Sequence, residues 1–207
     1  MTTASDNFNR ANETPIASPW VAAIGAGANL TINVLTSIAA TEKISYYSAA
    51  WGNDHDVSGI VGTLVANVNY SEVAVRFDSA GSGFSVYTDG TAGTGHTEFA
   101  SYTAGAPTVL GAIASAFANG DTIKLTVTGQ SPNIVLTAFK NGTQIAQITG
   151  QTGKNSGNPG GGGYGIATID DWSATDNAAA AVNALDESGY YPTEPQTNPL
   201  AVSIWSS

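Results

Sequence analysis

The chain has 207 residues with 24 glycines and no cysteine, and charged side chains make up only 11% of it. Six basic residues against 16 acidic ones give a formal charge of −10, which repels a phosphate backbone or an anionic lipid surface and so excludes nucleic acid and membrane as partners. No disulfide can form, and a chain of this length can bury a core that needs none, so one all-β domain with an appendage is expected.

The first residues, Met1 to Asp6, contain neither a basic nor an apolar signal region, so no signal peptide is expected. No later run approaches the ~18 apolar residues of a membrane-spanning helix, and a soluble protein is expected. Phe8, Ile16 and Trp20 read as core anchors separated by Asn, Asp and Pro loops. Trp20 to Ile24 and Asn29 to Val34 are predicted strands across the turn Gly25-Ala26-Gly27. Glu42 to Trp51 is a longer strand, followed by the polar loop Gly52-Asn53-Asp54-His55-Asp56. Val57 to Asn67 is apolar almost throughout, as for a central strand buried on both faces. Glu72 to Asp78 alternates, predicting Val73, Val75 and Phe77 inward and Ala74 and Arg76 outward. Phe84 to Thr88 and His96 to Tyr102 are further strands, and Thr108 to Phe117 fits either a strand or a short helix.

From Gly120 the signals are strongest. Ile123, Leu125 and Val127 share one face, and Lys140-Asn141-Gly142 between two apolar runs marks a tight hairpin, because Asn-Gly tolerates the positive φ of a type I′ turn. Gly150 to Gly163 reads as a glycine-dominated loop, held against its neighbours or mobile. It is followed by a closing strand around Asp170-Asp171-Trp172. The spacing predicts about 11 to 13 short strands, the pattern of a β-sandwich. Composition changes at Asp176. Residues 177–187 favour a short helix, capped by Asp176 and ended by Gly189, and Tyr190 to Pro195 reads as an extended arm before the apolar end Leu200 to Trp205. The expected organisation is a sandwich over 1–176 and a C-terminal extension over 177–207.

Asp6-x-Phe8-Asn9-Arg10 with Trp20 downstream, Gly120-Asp121-x-Ile123-x-Leu125-x-Val127, Lys140-Asn141-Gly142, and Gly160 to Gly165 with Asp170-Asp171-Trp172 together resemble the concanavalin A-like lectin/glucanase superfamily, including its laminin-G-like modules. The resemblance covers roughly Asp6 to Asp176. It implies an all-β fold, a two-sheet antiparallel jelly-roll sandwich with neighbouring first and last strands. It also implies a function within a wide range, since the superfamily holds lectins, glycosidases, lyases and structural modules, some of them decorating or adhesive parts of bacteriophage particles.

For catalysis, the laminarinase-like members place paired carboxylates as Glu-x-Asp-x-x-Glu on one strand, and here Glu13, Glu42, Glu72, Glu98, Glu187 and Glu194 are scattered. The lyase members' Arg, His and Tyr cluster and the Gly-x-Ser-x-Gly elbow have no counterpart either, so a non-enzymatic protein is expected. For ligand binding, Asn53, Asp54, His55 and Asp56 beside Trp51 offer hydrogen bonds and an aromatic platform suited to a sugar, and Asp54 and Asp56 offer oxygens to calcium. The alternative is a solvated turn between strands. Tyr87 joins this candidate list, and Tyr46, Tyr47, Tyr87, Tyr102 and Tyr164 either line a concave face or fill the core. The resemblance also implies a structural calcium near the chain ends, for which Asp6 with Asp170 or Asp171 and backbone carbonyls are the candidate ligands, the alternative being that these residues tie the terminal strands together by hydrogen bonds.

The resulting expectation is a structural or adhesive subunit of a larger, oligomeric assembly, a bacteriophage virion. It would dock through residues 177–207 and display the sandwich at the virion surface toward cell-surface glycans. A free-standing carbohydrate-binding protein, extracellular after lysis or cytoplasmic, is the alternative, and a divergent glycosidase or lyase a third.

Overall fold

A computed structural model describes residues 2–31, 33–37 and 39–177. The expected helix and arm fall on 178–207, outside the described residues. Everything described is strand, turn or loop, in 15 strands packed as two antiparallel sheets. One sheet runs from edge to edge as β13 (Thr143–Gln151), β12 (Ile134–Lys140), β11 (Thr122–Thr128), β6 (His55–Gly62), β15 (Thr168–Asp176), β4 (Val34–Thr36) and β3 (Asn29–Thr31), with β1 (Thr3–Asp6) paired to β15. The other runs as β10 (Ala106–Ala112), β9 (Thr97–Thr103), β8 (Gly83–Thr88), β7 (Tyr70–Phe77), β14 (Asn158–Gly165), β5 (Ala39–Tyr47) and β2 (Trp20–Ile24).

The core between the sheets follows period two. Val57 and Val61, Ile123, Leu125 and Val127, and Leu136 and Ala138 face Val73, Val75, Phe84, Val86 and Phe99. Asn141 and Gly142 take φ of 49° and 80° between Lys140 and Thr143, which pair directly, so the expected I′ hairpin joins β12 to β13. The chain ends meet as the resemblance implies, with Asp6 opposite Trp172. Trp20 lies 4.7 Å from Trp172 and 5.7 Å from Phe8, and Tyr47 stacks on Trp172, so Tyr47 belongs to the core rather than to an open face.

The two strands expected across the Gly25 turn, β2 and β3, lie in different sheets, so the turn passes the chain from one sheet to the other. Of the two readings of Thr108 to Phe117 the strand holds, as part of β10, an edge strand that stays exposed. Two expectations are corrected. First, β6 alternates buried and half-buried positions and ends at Gly62, because its outward face is not covered by a second layer. The second concerns the glycines. Gly160 to Gly163 are not loop; they lie in β14, at the centre of the second sheet between β7 and β5. A Cβ on Gly160 would run into the carbonyl oxygen of Ser45, one on Gly162 into that of Lys43, and one on Gly163 into that of Tyr70. The neighbouring backbones approach too closely for any side chain, and glycine is the residue that permits it.

Candidate functional site

The second sheet has a face turned away from the core, and its floor is the glycine strand. The register places Ile44, Gly162, Glu72, Tyr87 and Glu98 in one row across β5, β14, β7, β8 and β9. A neighbouring row holds Tyr46, Gly160, Ala74, Ser85 and Ala100. Two strand spacings, about 9.5 Å, separate β5 from β7. With no side chain on β14 between them, Glu42 on β5 and Glu72 on β7 reach across and meet under Tyr102.

Hydrogen counting defines the chemistry of this pair. The Tyr102 hydroxyl contacts Glu42 Oε1 and, at 2.8 Å, Glu72 Oε1. A phenol has one hydrogen, so one of the two carboxyls must itself donate. Burial pushes both glutamates up, Glu72 well above the carboxylate range because it has no exposure at all and lies beside the charge of Glu42. Of the two, Glu72 is the one its surroundings push more strongly toward the protonated form. The tyrosines respond in kind: burial first, then the neighbouring glutamates, raises Tyr70, Tyr87 and Tyr102 above the ordinary phenol value, and they stay protonated. Tyr87 donates to Glu98, whose other oxygen accepts from the Gly95 N–H at 2.7 Å. Glu72 Oε2 and Ser85 Oγ are buried without a hydrogen-bond partner.

Beside this pair the face opens into a cleft of about 260 Å³, lined by Tyr70, Tyr87 and Tyr164 and rimmed by Asn67, Asp89 and His96. Tyr70 stacks on Tyr164 at 5.5 Å and leans on Tyr87 at 4.9 Å. Asp89 accepts from Asn67 N–H at 2.7 Å, His96 Nδ1 at 2.9 Å and Thr91 N–H at 2.9 Å. Burial opposes its charge, but these donors outweigh it and hold its carboxyl below the usual range. An aromatic wall with a hydrogen-bonding rim is the surface a pyranose ring requires, apolar on its faces and polar on its edge.

The residues singled out from sequence are distributed differently. Asp54 receives Arg76 Nη2 at 3.2 Å and the Gly129 N–H at 3.0 Å. The carbonyl of Asn53 accepts from Arg76 Nε at 2.7 Å. Asp56 pairs with Lys124 at 2.6 Å and accepts from Asn177. His55 is buried, with Nδ1 3.0 Å from the Gly52 carbonyl and Nε2 accepting the Arg76 N–H, and burial pushes its pKa down. Trp51 packs 6.0 Å from His55. Only Gly52 to Asp54 of the expected loop are loop, His55 and Asp56 opening β6, and together they wrap around Arg76, which the alternation placed outside. Arg76 instead takes a φ of 54° at a bulge in β7 and is wholly buried. The bulge also turns Phe77 to the outer face, against Tyr102 at 5.3 Å. Tyr87 stands apart from the loop, on the outer face with Tyr102 and Tyr164.

Near the chain ends, Asp6 and Asp171 line one shallow cleft with Ser5, Asn7, Trp172 and Ser173. Asp6, however, is engaged by N–H donors: Phe8 at 2.8 Å, Arg10 at 2.6 Å and the Trp20 indole at 2.8 Å. Asp170 accepts from the Asp171 N–H. Among the described residues no three His, Asp or Glu side chains converge on one point as a cation requires. Lone pairs turned toward N–H groups do not fit a calcium site at Asp6.

Comparison with known proteins follows this geometry. Carbohydrate-binding module CBM66 from Bacillus subtilis superposes with a TM-score of 0.52 at 14% identity, over 76% of this chain and 91% of that one. The exoplasmic/lumenal domain of VIP36, solved in a Ca2+/Man2-bound form, superposes with a TM-score of 0.52 at 10% identity, over 91% of this chain and 92% of that one. The fold is the concanavalin A-like jelly roll. No family model matches the sequence, and no curated protein does. At these identities the likeness establishes the jelly roll and leaves the site to be read from its own residues.

Sequence reasoning missed Glu42, Glu72 and Glu98 as a group, because they lie on three strands distant in the chain. It missed the glycine floor because a glycine run reads as loop. The one available signal was parity. Glu72 alternates with Val73 and Glu98 with Phe99, both core residues, which puts both glutamates on the face away from the core.

Proposed function

We propose that the chain binds glycans without cleaving them, through the outer face of the seven-stranded sheet, as an adhesive part of a larger assembly such as a virion. The observation that carries the reading is the tyrosine cleft, in which Tyr70, Tyr87 and Tyr164 form a continuous aromatic wall beside polar rim groups. Two points favour binding over hydrolysis. The carboxyl pair on this face, Glu42 with Glu72, is hydrogen-bonded under Tyr102, and Glu72 is inaccessible to a glycosidic oxygen. Glu98 is likewise covered and held by Tyr87. Similarity to a module whose name describes carbohydrate binding supports the same reading. The assembly role rests on the apolar end of the 177–207 segment as a docking element.

A glycan array read with the full chain tests it. Tyr164→Ala should weaken binding of any hit by about tenfold, the worth of one stacking residue. Trp51→Ala should leave binding in place. The reverse pattern would move the site to the Asn53–Asp56 loop, and release of reducing sugar from a bound polysaccharide would make the protein an enzyme.

A further inference from the structure

The charge of the outer face is lopsided. Glu42 and Glu98 lie in or under it, and Asp89 stands on its rim. None of the six Lys and Arg side chains answers them. Arg10 pairs with Asp6 and Glu13, Arg76 with Asp54, Lys124 with Asp56, Lys140 with Asp121, and Lys154 with Asp78. Lys43 alternates with Glu42 on β5 and lies against the Gly25 turn, 3.5 Å from where a Cβ would stand there. The cleft thus offers acceptors and negative potential with no cation of its own beyond His96. A carboxylated or sulfated ligand would be repelled.

The tyrosines add to this. Tyr87 gives its hydrogen to Glu98, Tyr102 gives its own to Glu42, and the Tyr70 hydroxyl also faces Glu42. A phenol that donates to a carboxylate gains electron density on its ring, and rings of that kind attract a cation over their faces. Tyr70 and Tyr87 present such rings to the cleft 4.9 Å apart.

We infer that the cleft recognises a sugar unit carrying a protonated amine, its ammonium held over the tyrosine rings in the negative potential of Asp89. This inference deepens the glycan-binding reading and rests on it. The test is calorimetry of the full chain at low salt, below the pKa of the ligand's amines, with three probes: a glucosamine hexamer, an N-acetylglucosamine hexamer and a galacturonate hexamer.

The glucosamine hexamer should bind about tenfold more tightly than the acetylated one, the galacturonate hexamer should not bind, and added salt should erase the difference. Tyr164→Ala and Asp89→Asn should each remove the preference. Tyr164→Phe, which keeps the ring and guards against a folding defect, should retain it. Asp170→Asn makes the same charge change on the opposite sheet and should also retain it.

Equal binding of the two hexosamine probes, lost in Tyr164→Ala, would overturn the amine inference and leave the glycan face standing. Preference for galacturonate would do the same. No binding by any sugar, here or on the array, would overturn both. A preference that survives both cleft substitutions would be attraction to an acidic protein in general and would also overturn the inference.

Discussion

Strand β7 carries two buried ionisable side chains four residues apart, Arg76 and Glu72, and the chain treats them in opposite ways. Around Arg76 every contact is complementary. The carbonyls of Asn53, Lys154 and Gly129 and the carboxylate of Asp54 accept from its guanidinium at 2.6 to 3.2 Å, and its backbone N–H is capped by His55. Around Glu72 the neighbours include a second carboxyl, and burial acts against its charged form. The first cluster fastens four loops and strands to one side chain. The second is locally unfavourable, kept by a fold that could have placed an apolar residue there, and such conflicts concentrate where a protein binds something. A buried charge is thus no guide to function until its partners are known.

Breaking the Arg76 cluster should have the largest effect. Arg76→Met leaves three carbonyls and Asp54 without their donor, and denaturant unfolding should show a loss of about 3 kcal/mol or more. Next comes the floor of the other cluster. Gly162→Ala puts a methyl against the Lys43 carbonyl in the middle of the sheet and should cost roughly 2–3 kcal/mol while weakening any glycan bound above it.

Two smaller effects sharpen the contrast through pH. His55 has a lowered folded pKa, mainly from burial, so its contribution is complete above the unfolded value of about 6.5 and is lost as pH falls toward the folded one. The Arg76 end should therefore loosen on the acid side, seen as faster amide exchange around Gly52 to Asp56. Glu72 has a raised folded pKa, so its contribution is present below the ordinary glutamate range and is lost as pH rises through the folded value. Glu72→Gln should flatten that alkaline decline in melting temperature. A decline unchanged by this substitution would show that Glu72 is not the group responsible.

The difference between the two clusters also explains what was legible beforehand. Strand after strand could be read from alternation, because each half-buried strand records its own burial in period two, as Ile123, Leu125 and Val127 do. The hairpin at Asn141-Gly142 was legible because its turn type demands those residues. Arg76 was misplaced because a bulge breaks parity, and a bulge leaves no mark in a single sequence. The Asn53–Asp56 loop looked like a ligand site because a polar loop that binds a sugar and one that wraps a buried arginine have the same composition.

By itself the sequence determined the Asn-Gly hairpin, the β-sandwich pattern of short strands and the strongly acidic balance, all properties carried by neighbouring residues or by composition, while the meeting of the first and last strands was implied by the family resemblance. Only the tertiary structure decided which face could bind. Glu42, Glu72 and Glu98 are 30 and 26 residues apart along the chain and become one cluster only when β14 takes its place between β5 and β7. That placement depends on backbones close enough to exclude a side chain at Gly160, Gly162 and Gly163, a constraint visible in the sequence only as a run of glycine.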